Sequence, residues 1–266
     1  MNIHFDNQTL LKQLEEATLV KLAMGSHLYG LNTEQSDIDI LHIHAKSKTL
    51  DNSFLWEHHQ LQFKAKNTDL VFTDLFIFIR NLLSGDSTIN FEVLHSQELA
   101  GSDLKFLSDN KQQFYNYNIL KSYLGLAKRD LKQCFSESNN YLNNKKLSHA
   151  YRGIVSTEAI LNHNYDNHLS NYQADFKIIK DLKFNNYHNG QELIKDLEVK
   201  ANQLRDKINK MLEQKQLVRC LSLDFMQELD LWLNQFSGTS TYIDKQNKLV
   251  MDKTIYYQVL EEGLKY

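Results

Sequence analysis

The feature that most constrains this chain is a pair of aspartates separated by one residue, Asp37 and Asp39, in the run DIDILHIH. The alternation of this run predicts a β-strand, in which every second side chain faces the same way. The two carboxylates would then share one face about 7 Å apart, which is twice the rise of a strand. Such a pair repels, and aspartate is disfavoured in strands. Because apolar residues flank both aspartates, we interpret them as ligands of a cation rather than as a solvated surface pair.

A divalent cation would relieve this repulsion. Mg²⁺ prefers oxygen ligands and is commonly held by one or two carboxylates together with the phosphates of a substrate. Paired carboxylates on one strand therefore indicate phosphoryl chemistry on a nucleotide.

The residues Gly25 and Ser26, which follow a short apolar run, fit the other half of such a site. A glycine has no Cβ, so a phosphate can approach its backbone closely. If residues 26–29 open a helical turn, their N–H groups and the Ser26 hydroxyl would point at an anion. The alternative is an ordinary turn between a strand and a helix.

The chain changes character near residue 112. Before it, strands are predicted at residues 19–24, 37–44, 61–66 and 69–72, and helices at residues 9–17 and 76–83, the latter ending at Ser84-Gly85. After it, apolar residues recur three and four positions apart, which predicts helices at residues 119–131, 145–162, 193–211 and 221–236 and loops at 137–144 and 163–171. The fold class predicted is α+β, with a small mixed-sheet domain over residues 1–112 and an α-helical domain over residues 113–266.

Composition excludes several classes of protein. The net charge of −3 over 266 residues argues against non-specific binding of nucleic acid, although a local basic groove is compatible with it. Cys134 and Cys220 show no metal-ligand spacing and are interpreted as reduced thiols. The first residues do not resemble a signal peptide, and no apolar run approaches the roughly 18 residues that span a membrane. We therefore expect a cytoplasmic protein without a membrane segment.

These residues resemble a known family. The sequence Met-Gly-Ser at residues 24–26, ten intervening residues and the DIDI of residues 37–40 are similar to the motif of the DNA polymerase β-type nucleotidyltransferase superfamily. Within it, GSHLYGLNTEQSDIDI and DLVFTDLFIFIRNLLSGDSTINFEVLHS look most like the predicted nucleotidyltransferases associated with RNA ligase in phages and bacteria. The resemblance covers about residues 19–96 and, more faintly, the helix KKLSHAYRGI. One departure is Asp86-Ser87, where such sequences commonly carry Asn-Pro.

The resemblance implies that residues 1–112 form a palm-like nucleotidyltransferase domain. It also implies two Mg²⁺ ions, with Mn²⁺ as a possible substitute, and transfer of a nucleoside monophosphate from an NTP with loss of pyrophosphate. The third carboxylate of the superfamily comes from a neighbouring strand, and Asp69 is our choice. Asp37, Asp39 and Asp69 are then the metal-binding and catalytic residues, and Gly25 and Ser26 bind phosphates. Asp74, the alternative third carboxylate, is better placed to cap the helix that follows it.

Two further sets of polar residues need interpretation. Lys145, His149 and Arg152 lie on one face of a predicted helix and would bind the triphosphate or the acceptor; the alternative is a solvated basic face. His42 and His44 share the strand face opposite the aspartates. A zinc site needs further ligands, and none is evident, so we expect packed or exposed histidines.

The sequence therefore predicts a Mg²⁺-dependent nucleotidyltransferase that uses an NTP and an acceptor hydroxyl. The association with RNA ligase favours RNA as the acceptor over a protein side chain or a small molecule. The alternative is a nucleotide- or RNA-binding module that keeps the fold without turnover. A complete set of three carboxylates favours the enzyme.

Overall fold

The computed structural model describes residues 7–34, 36–45, 60–65, 67–136, 141–166, 168–184, 187, 189–219 and 221–236. Four strands form one mixed sheet in the order β1-β2-β4-β3, with β1 at Thr18–Ala23, β2 at Ile38–His44, β3 at Gln60–Ala65 and β4 at Thr68–Asp74. Strands β2 and β4 are parallel, whereas β1 pairs with β2 and β3 pairs with β4 in antiparallel fashion. The last residues of β1 therefore lie beside the first residues of β2, and β4 begins at the same end of the sheet.

Helices cover both faces of this sheet. On one face, Leu41 and Ile43 of β2 belong to the large core that includes Phe78 of helix α3 (Leu75–Ser84). On the other face, Phe72 of β4 packs with Leu14 of helix α1 (Asn7–Glu16) in a separate small cluster. Burial of these apolar side chains stabilises the sheet from both sides.

The two histidines of β2 belong to the second face. The ring of His42 lies 4.3 Å from that of Phe72, and both His42 and His44 are buried. Loss of solvation, followed by the positive charge of Lys21, lowers the pKa of His42 to about 4. Both histidines are therefore packed side chains, as the sequence analysis expects.

The rest of the described chain is mostly helical. Short helices come first: α4 (Thr88–Val93), α5 (Gln97–Ala100), α6 (Lys105–Asp109) and a 3-10 turn at Lys111–Phe114. Long helices follow: α7 (Tyr117–Cys134), α8 (Asn144–Leu161), α9 (Gln173–Lys183), α10 (Gly190–Glu213) and α11 (Leu223–Leu233). A small hairpin of β5 (Phe135–Ser136) and β6 (Tyr141–Leu142) joins α7 to α8, and a 3-10 turn at Leu169–Tyr172 leads into α9. Helix α2 (Gly25–Leu28) is a single turn after β1.

The α+β class and the main elements predicted from the sequence are confirmed. The sequence analysis missed α4, α5, α6 and α9, and it assigned residues 141–142 and 169–171 to loops where the structure has β6 and part of a 3-10 turn. Residues 66, 137–140, 167 and 220 lie outside the described residues.

The large core contains residues from both sides of residue 112, and the domain boundary there stays a prediction. Among the described residues, no helix is long and apolar enough to cross a membrane.

The end of α3 gives a test of this fold. Gly85 has a φ of 68°, and a Cβ there would lie 2.7 Å from backbone atoms of Asn118 and Ile119. Gly85→Ala should therefore lower the free energy of unfolding by about 2–4 kcal/mol, from left-handed strain and overpacking. Gly125, within α7, has no atom within 4 Å of an added Cβ. Gly125→Ala should raise the free energy of unfolding by about 1 kcal/mol through helix propensity. Urea unfolding measures both, and equal effects would contradict the end assigned to α3.

Candidate active site

Three carboxylates lie near one another at the end of the sheet where β2 and β4 begin. Asp39 of β2 is the direct partner of Asp69 in the parallel register of β4, so both side chains project from the same face. Asp37 lies just before β2 and is exposed, whereas Asp39 is half-buried. Burial, followed by the negative charges of Asp69 and Asp37, raises the pKa of Asp39 above its ordinary value. The structure therefore brings the three predicted carboxylates together.

Asp74 has a different position and a structural role. It lies at the far end of β4, opposite His44, five residues beyond Asp69. Its Oδ1 accepts hydrogen bonds from the backbone N–H groups of Phe76 at 2.8 Å and Ile77 at 3.4 Å. Asp74 thus caps α3, and the expectation that Asp69 rather than Asp74 lies beside the aspartate pair is confirmed.

The glycine turn after β1 touches this carboxylate group. The N–H of Met24 donates to the carbonyl of Asp39 at 2.8 Å, which holds the end of β1 against β2. Gly25 has a φ of 58°, and a Cβ on it would lie 2.5 Å from Oδ2 of Asp39. Both the backbone conformation and the close approach therefore require glycine. Ser26 follows in the same turn, so the two halves of the sequence motif form one site.

Strand β3 supplies positive charge to Asp69. The Nζ of Lys64 lies 3.3 Å from Oδ2 of Asp69, and the side-chain amide of Gln62 donates to the same oxygen at 3.2 Å. Lys64 is largely exposed, so this ion pair adds little stability. The sequence analysis did not single out Gln62 or Lys64, because their contact with Asp69 depends on the register of β3 with β4.

The site suits Mg²⁺ by the chemistry of its donors. Carboxylate oxygens are the ligands this ion prefers. Burial and then the charges of Asp69 and Asp37 raise the pKa of Asp39, and a cation would relieve the repulsion among these carboxylates. Among the described residues, no three His, Cys, Asp or Glu side chains are already gathered closely enough to form a complete metal centre. Binding would therefore require side-chain adjustment among the three carboxylates.

His27 is a further polar residue of the turn. An electrostatic interaction with His27 lowers the pKa of Asp39 and partly opposes the effect of burial, which places the two side chains near each other. Its Nε2 is buried and has no hydrogen-bond partner in the described part of the chain. The sequence analysis missed His27, although its position directly after Gly25-Ser26 was a usable signal.

The predicted basic face of α8 divides into two parts. Lys145 and His149 are exposed. Arg152 turns inward: its Nη1 donates to Oε1 of Glu92 at 2.7 Å, and its guanidinium lies 3.9 Å from the ring centroid of Tyr29. The structure thus gives Arg152 internal partners in place of the phosphate contact expected from the sequence.

Lys183 of α9 joins Lys145 and His149. Its Nζ donates to the carbonyl of Leu31 at 2.7 Å, and the N–H of Leu31 donates to the carbonyl of Ser26 at 2.9 Å. Partial burial, followed by the charge of Lys145, lowers the pKa of Lys183. Partial desolvation and the charges of Arg152, Lys145 and Lys183 also lower the pKa of His149. Lys145 and Lys183 therefore form a basic cluster beside the glycine turn, and the neighbouring His149 is neutral at neutral pH.

The raised pKa of Asp39 predicts a pH-dependent stability difference. A carboxyl group whose pKa is higher in the folded state stabilises the fold at low pH, and this contribution is lost as the pH rises through the folded pKa. In buffer with EDTA, Asp39→Asn should therefore have a higher urea midpoint than the wild type at pH 7, and the difference should vanish below about pH 4, the ordinary pKa. Asp196→Asn, an exposed change on α10, is the matched control. A variant less stable than the wild type at pH 7 would contradict the repulsion.

Similarity to known proteins indicates the family of this chain. The chain matches the sequence model of the RNA repair pathway DNA polymerase beta family over residues 4–247. It is 32% identical over 127 residues to an uncharacterized 38.9 kDa protein of Enterobacteria phage T4, from the nrdC-mobD intergenic region. That match covers 42% of this chain and only 37% of the phage protein. A solved nucleotidyltransferase-like protein from Exiguobacterium sibiricum 255-15 aligns over 97% of this chain and 87% of its own, with 11% identity and a TM-score of 0.30, at which similarity is weak. The family match confirms the resemblance drawn from the Gly-Ser and Asp-x-Asp residues, and the chain belongs to the RNA repair pathway DNA polymerase beta family.

Proposed function

We propose that this protein is a Mg²⁺-dependent nucleotidyltransferase that moves a nucleoside monophosphate from an NTP to an acceptor hydroxyl. The observation that supports this most strongly is the register that sets Asp39 beside Asp69 while Gly25 packs against Asp39. A carboxylate group beside a backbone that a phosphate can approach is the arrangement that phosphoryl transfer needs. Membership of a polymerase β family supports the same class of reaction.

The three carboxylates have the central part in this proposal. Asp37, Asp39 and Asp69 would hold Mg²⁺, which when bound neutralises the triphosphate and aligns the acceptor hydroxyl with the α-phosphorus. Asp69 lies at the side of the site that faces β3 and would accept the proton of the acceptor hydroxyl. The acceptor oxygen then bonds to the α-phosphorus while the bond to pyrophosphate breaks.

The glycine turn and the basic cluster would hold the rest of the triphosphate. The first N–H groups of a helical turn have no acceptor within the helix, so those of Gly25 and Ser26, with the Ser26 hydroxyl, are suited to the β- and γ-phosphates. Lys145 and Lys183 add positive charge on the side of α8 and α9, whereas His149, whose pKa is lowered to about 4, is neutral there at neutral pH. Arg152, which the sequence analysis placed among the phosphate ligands, would act through Tyr29 instead.

We propose RNA as the acceptor, since the family is described by a role in RNA repair. The chain spans little more than a third of the phage relative it matches. The proposal of an RNA acceptor therefore does not rest on that protein. NTPs and RNA are both present in the cytoplasm, where we expect the protein to act.

A labelling experiment tests the reaction. The purified protein is incubated with each α-³²P NTP, with Mg²⁺ or Mn²⁺, and with total RNA or a protein extract. We expect label in RNA from the wild type, and a loss of at least about a hundredfold in Asp39→Asn and Asp69→Asn, because each removes a proposed metal ligand. Asp196→Asn should transfer normally. Equal labelling by wild type and Asp39→Asn would contradict the proposed site, and label confined to protein would exclude RNA as acceptor.

The basic cluster makes a separate prediction. Lys145→Gln and Lys183→Gln should each raise the KM for the NTP by about tenfold, since a charge-assisted contact with phosphate contributes about 1.5–3 kcal/mol. Both variants should also show a weaker salt dependence of KM. Lys195→Gln, an exposed change on α10, should match the wild type. An unchanged KM in both cluster variants would exclude these lysines from phosphate binding.

A further inference from the structure

A buried polar network connects the helical part of the chain to the glycine turn. Glu92 of α4 is fully buried, and its Oε1 accepts hydrogen bonds from Arg152 at 2.7 Å and from the hydroxyl of Tyr123 at 3.0 Å. Its Oε2 accepts from the hydroxyl of Tyr29. We call Glu92, Arg152, Tyr29 and Tyr123 the Glu92 network. Because a buried carboxylate without partners is costly, these donors are fixed in place around it.

Tyr29 is the member of the network that belongs to the active-site turn. It follows α2 directly, and its N–H donates to the carbonyl of Gly25 at 3.3 Å. Its own carbonyl accepts from the N–H of Leu169 at 3.2 Å, and its ring lies under the guanidinium of Arg152. The side chain and both backbone polar groups of Tyr29 are therefore engaged, which fixes this end of the turn.

Short contacts lead from Tyr29 to the carboxylates. Tyr29 bonds to Gly25, and the α-carbon of Gly25 faces the carboxylate of Asp39 with no room for a methyl group. A shift of Tyr29 would therefore move Gly25 relative to Asp39. Displacements of about 1 Å in a reacting geometry can reduce rates by about a hundredfold.

Stability alone does not account for the network. A buried ion pair is weak evidence for stability, because desolvation of its charges offsets most of their attraction. An apolar residue in place of Tyr29 would fill the same core volume without needing a charged partner. The network does something that apolar packing does not, since directional hydrogen bonds set the position of Tyr29 relative to α4 and α8.

We propose that Tyr29 is a positioning residue, through which the Glu92–Arg152 ion pair holds the Gly25–Ser26 turn at the place beside Asp39 that nucleotide transfer requires. The effect on transfer rests on the function proposed above. The fixed position of the turn does not depend on it.

Two matched variants test this inference, Tyr29→Phe and Tyr123→Phe. Each removes one hydroxyl that donates to Glu92, both rings are buried, and Arg152 keeps its carboxylate. Tyr123 lies on α7 and also contacts the hydroxyl of Tyr165 at 3.4 Å, so its variant loses at least as many polar contacts. Only Tyr29 belongs to the turn. Changes at Glu92 or Arg152 are avoided, because an uncompensated buried charge endangers folding.

The readouts are amide hydrogen exchange of residues 24–31 and the kinetics of transfer. In Tyr29→Phe we expect exchange of this segment to accelerate, and kcat/KM to fall by about tenfold, the equivalent of one lost hydrogen bond to a charged group. In Tyr123→Phe both should stay within about twofold of the wild type, even where its melting temperature falls equally.

The outcomes separate the inference from the proposed function. Equal exchange of residues 24–31 in the two variants, or equal kcat/KM, would overturn the positioning role and leave a purely structural network. A wild-type protein that labels no acceptor with any NTP would refute the proposed function. The exchange data would then decide the positioning role by themselves.

Discussion

The pairing of Asp39 with Asp69 in the parallel register of β2 and β4 is the constraint on which the rest of the site depends. It places two like charges side by side, with a third at Asp37, and burial together with this repulsion raises the pKa of Asp39. A shift of one residue in this register would turn Asp69 to the opposite face of the sheet. The apolar pattern prevents such a shift, because Leu41 and Ile43 must face the large core while Phe72 faces α1.

Gly25, which has no side chain, lies at the end of the sheet where the carboxylates are located. Gly25 adopts a left-handed conformation and lies against the carboxylate of Asp39, so the turn after β1 and the start of β2 form one surface. The helical part holds this turn from the other side through Tyr29, through Leu169 and through Lys183. The glycine turn is therefore fixed between the sheet and the helices. As a result, the geometry of a site at the end of a small sheet depends on helices that are distant in sequence.

Much of the fold could be predicted because its elements are locally encoded. The alternation of DIDILHIH, the apolar stripes of α7 and α10, and Gly85 at the end of α3 are signals that act within a few residues. The short helices α4, α5 and α6 were missed because one or two turns contain too few positions for a period to be recognised. Helix α9 was also missed, although Phe176, Ile179 and Leu182 recur every three residues and were a usable helical signal.

Asp69 was chosen as the third carboxylate with the help of the family resemblance. The sequence by itself indicated the carboxylate pair, the glycine turn and Asp74 as a helix cap, since strand alternation and helix capping are properties of neighbouring residues. It also placed Lys145, His149 and Arg152 on one face of a helix, because that face follows from a period of 3.6 residues. Only the tertiary structure decided what that face contacts. Arg152 pairs with Glu92, which lies 60 residues away in sequence, and Lys183 reaches the carbonyl of Leu31 across 152 residues. Such partners are set by how helices pack, and no local period encodes which buried carboxylate will meet which guanidinium.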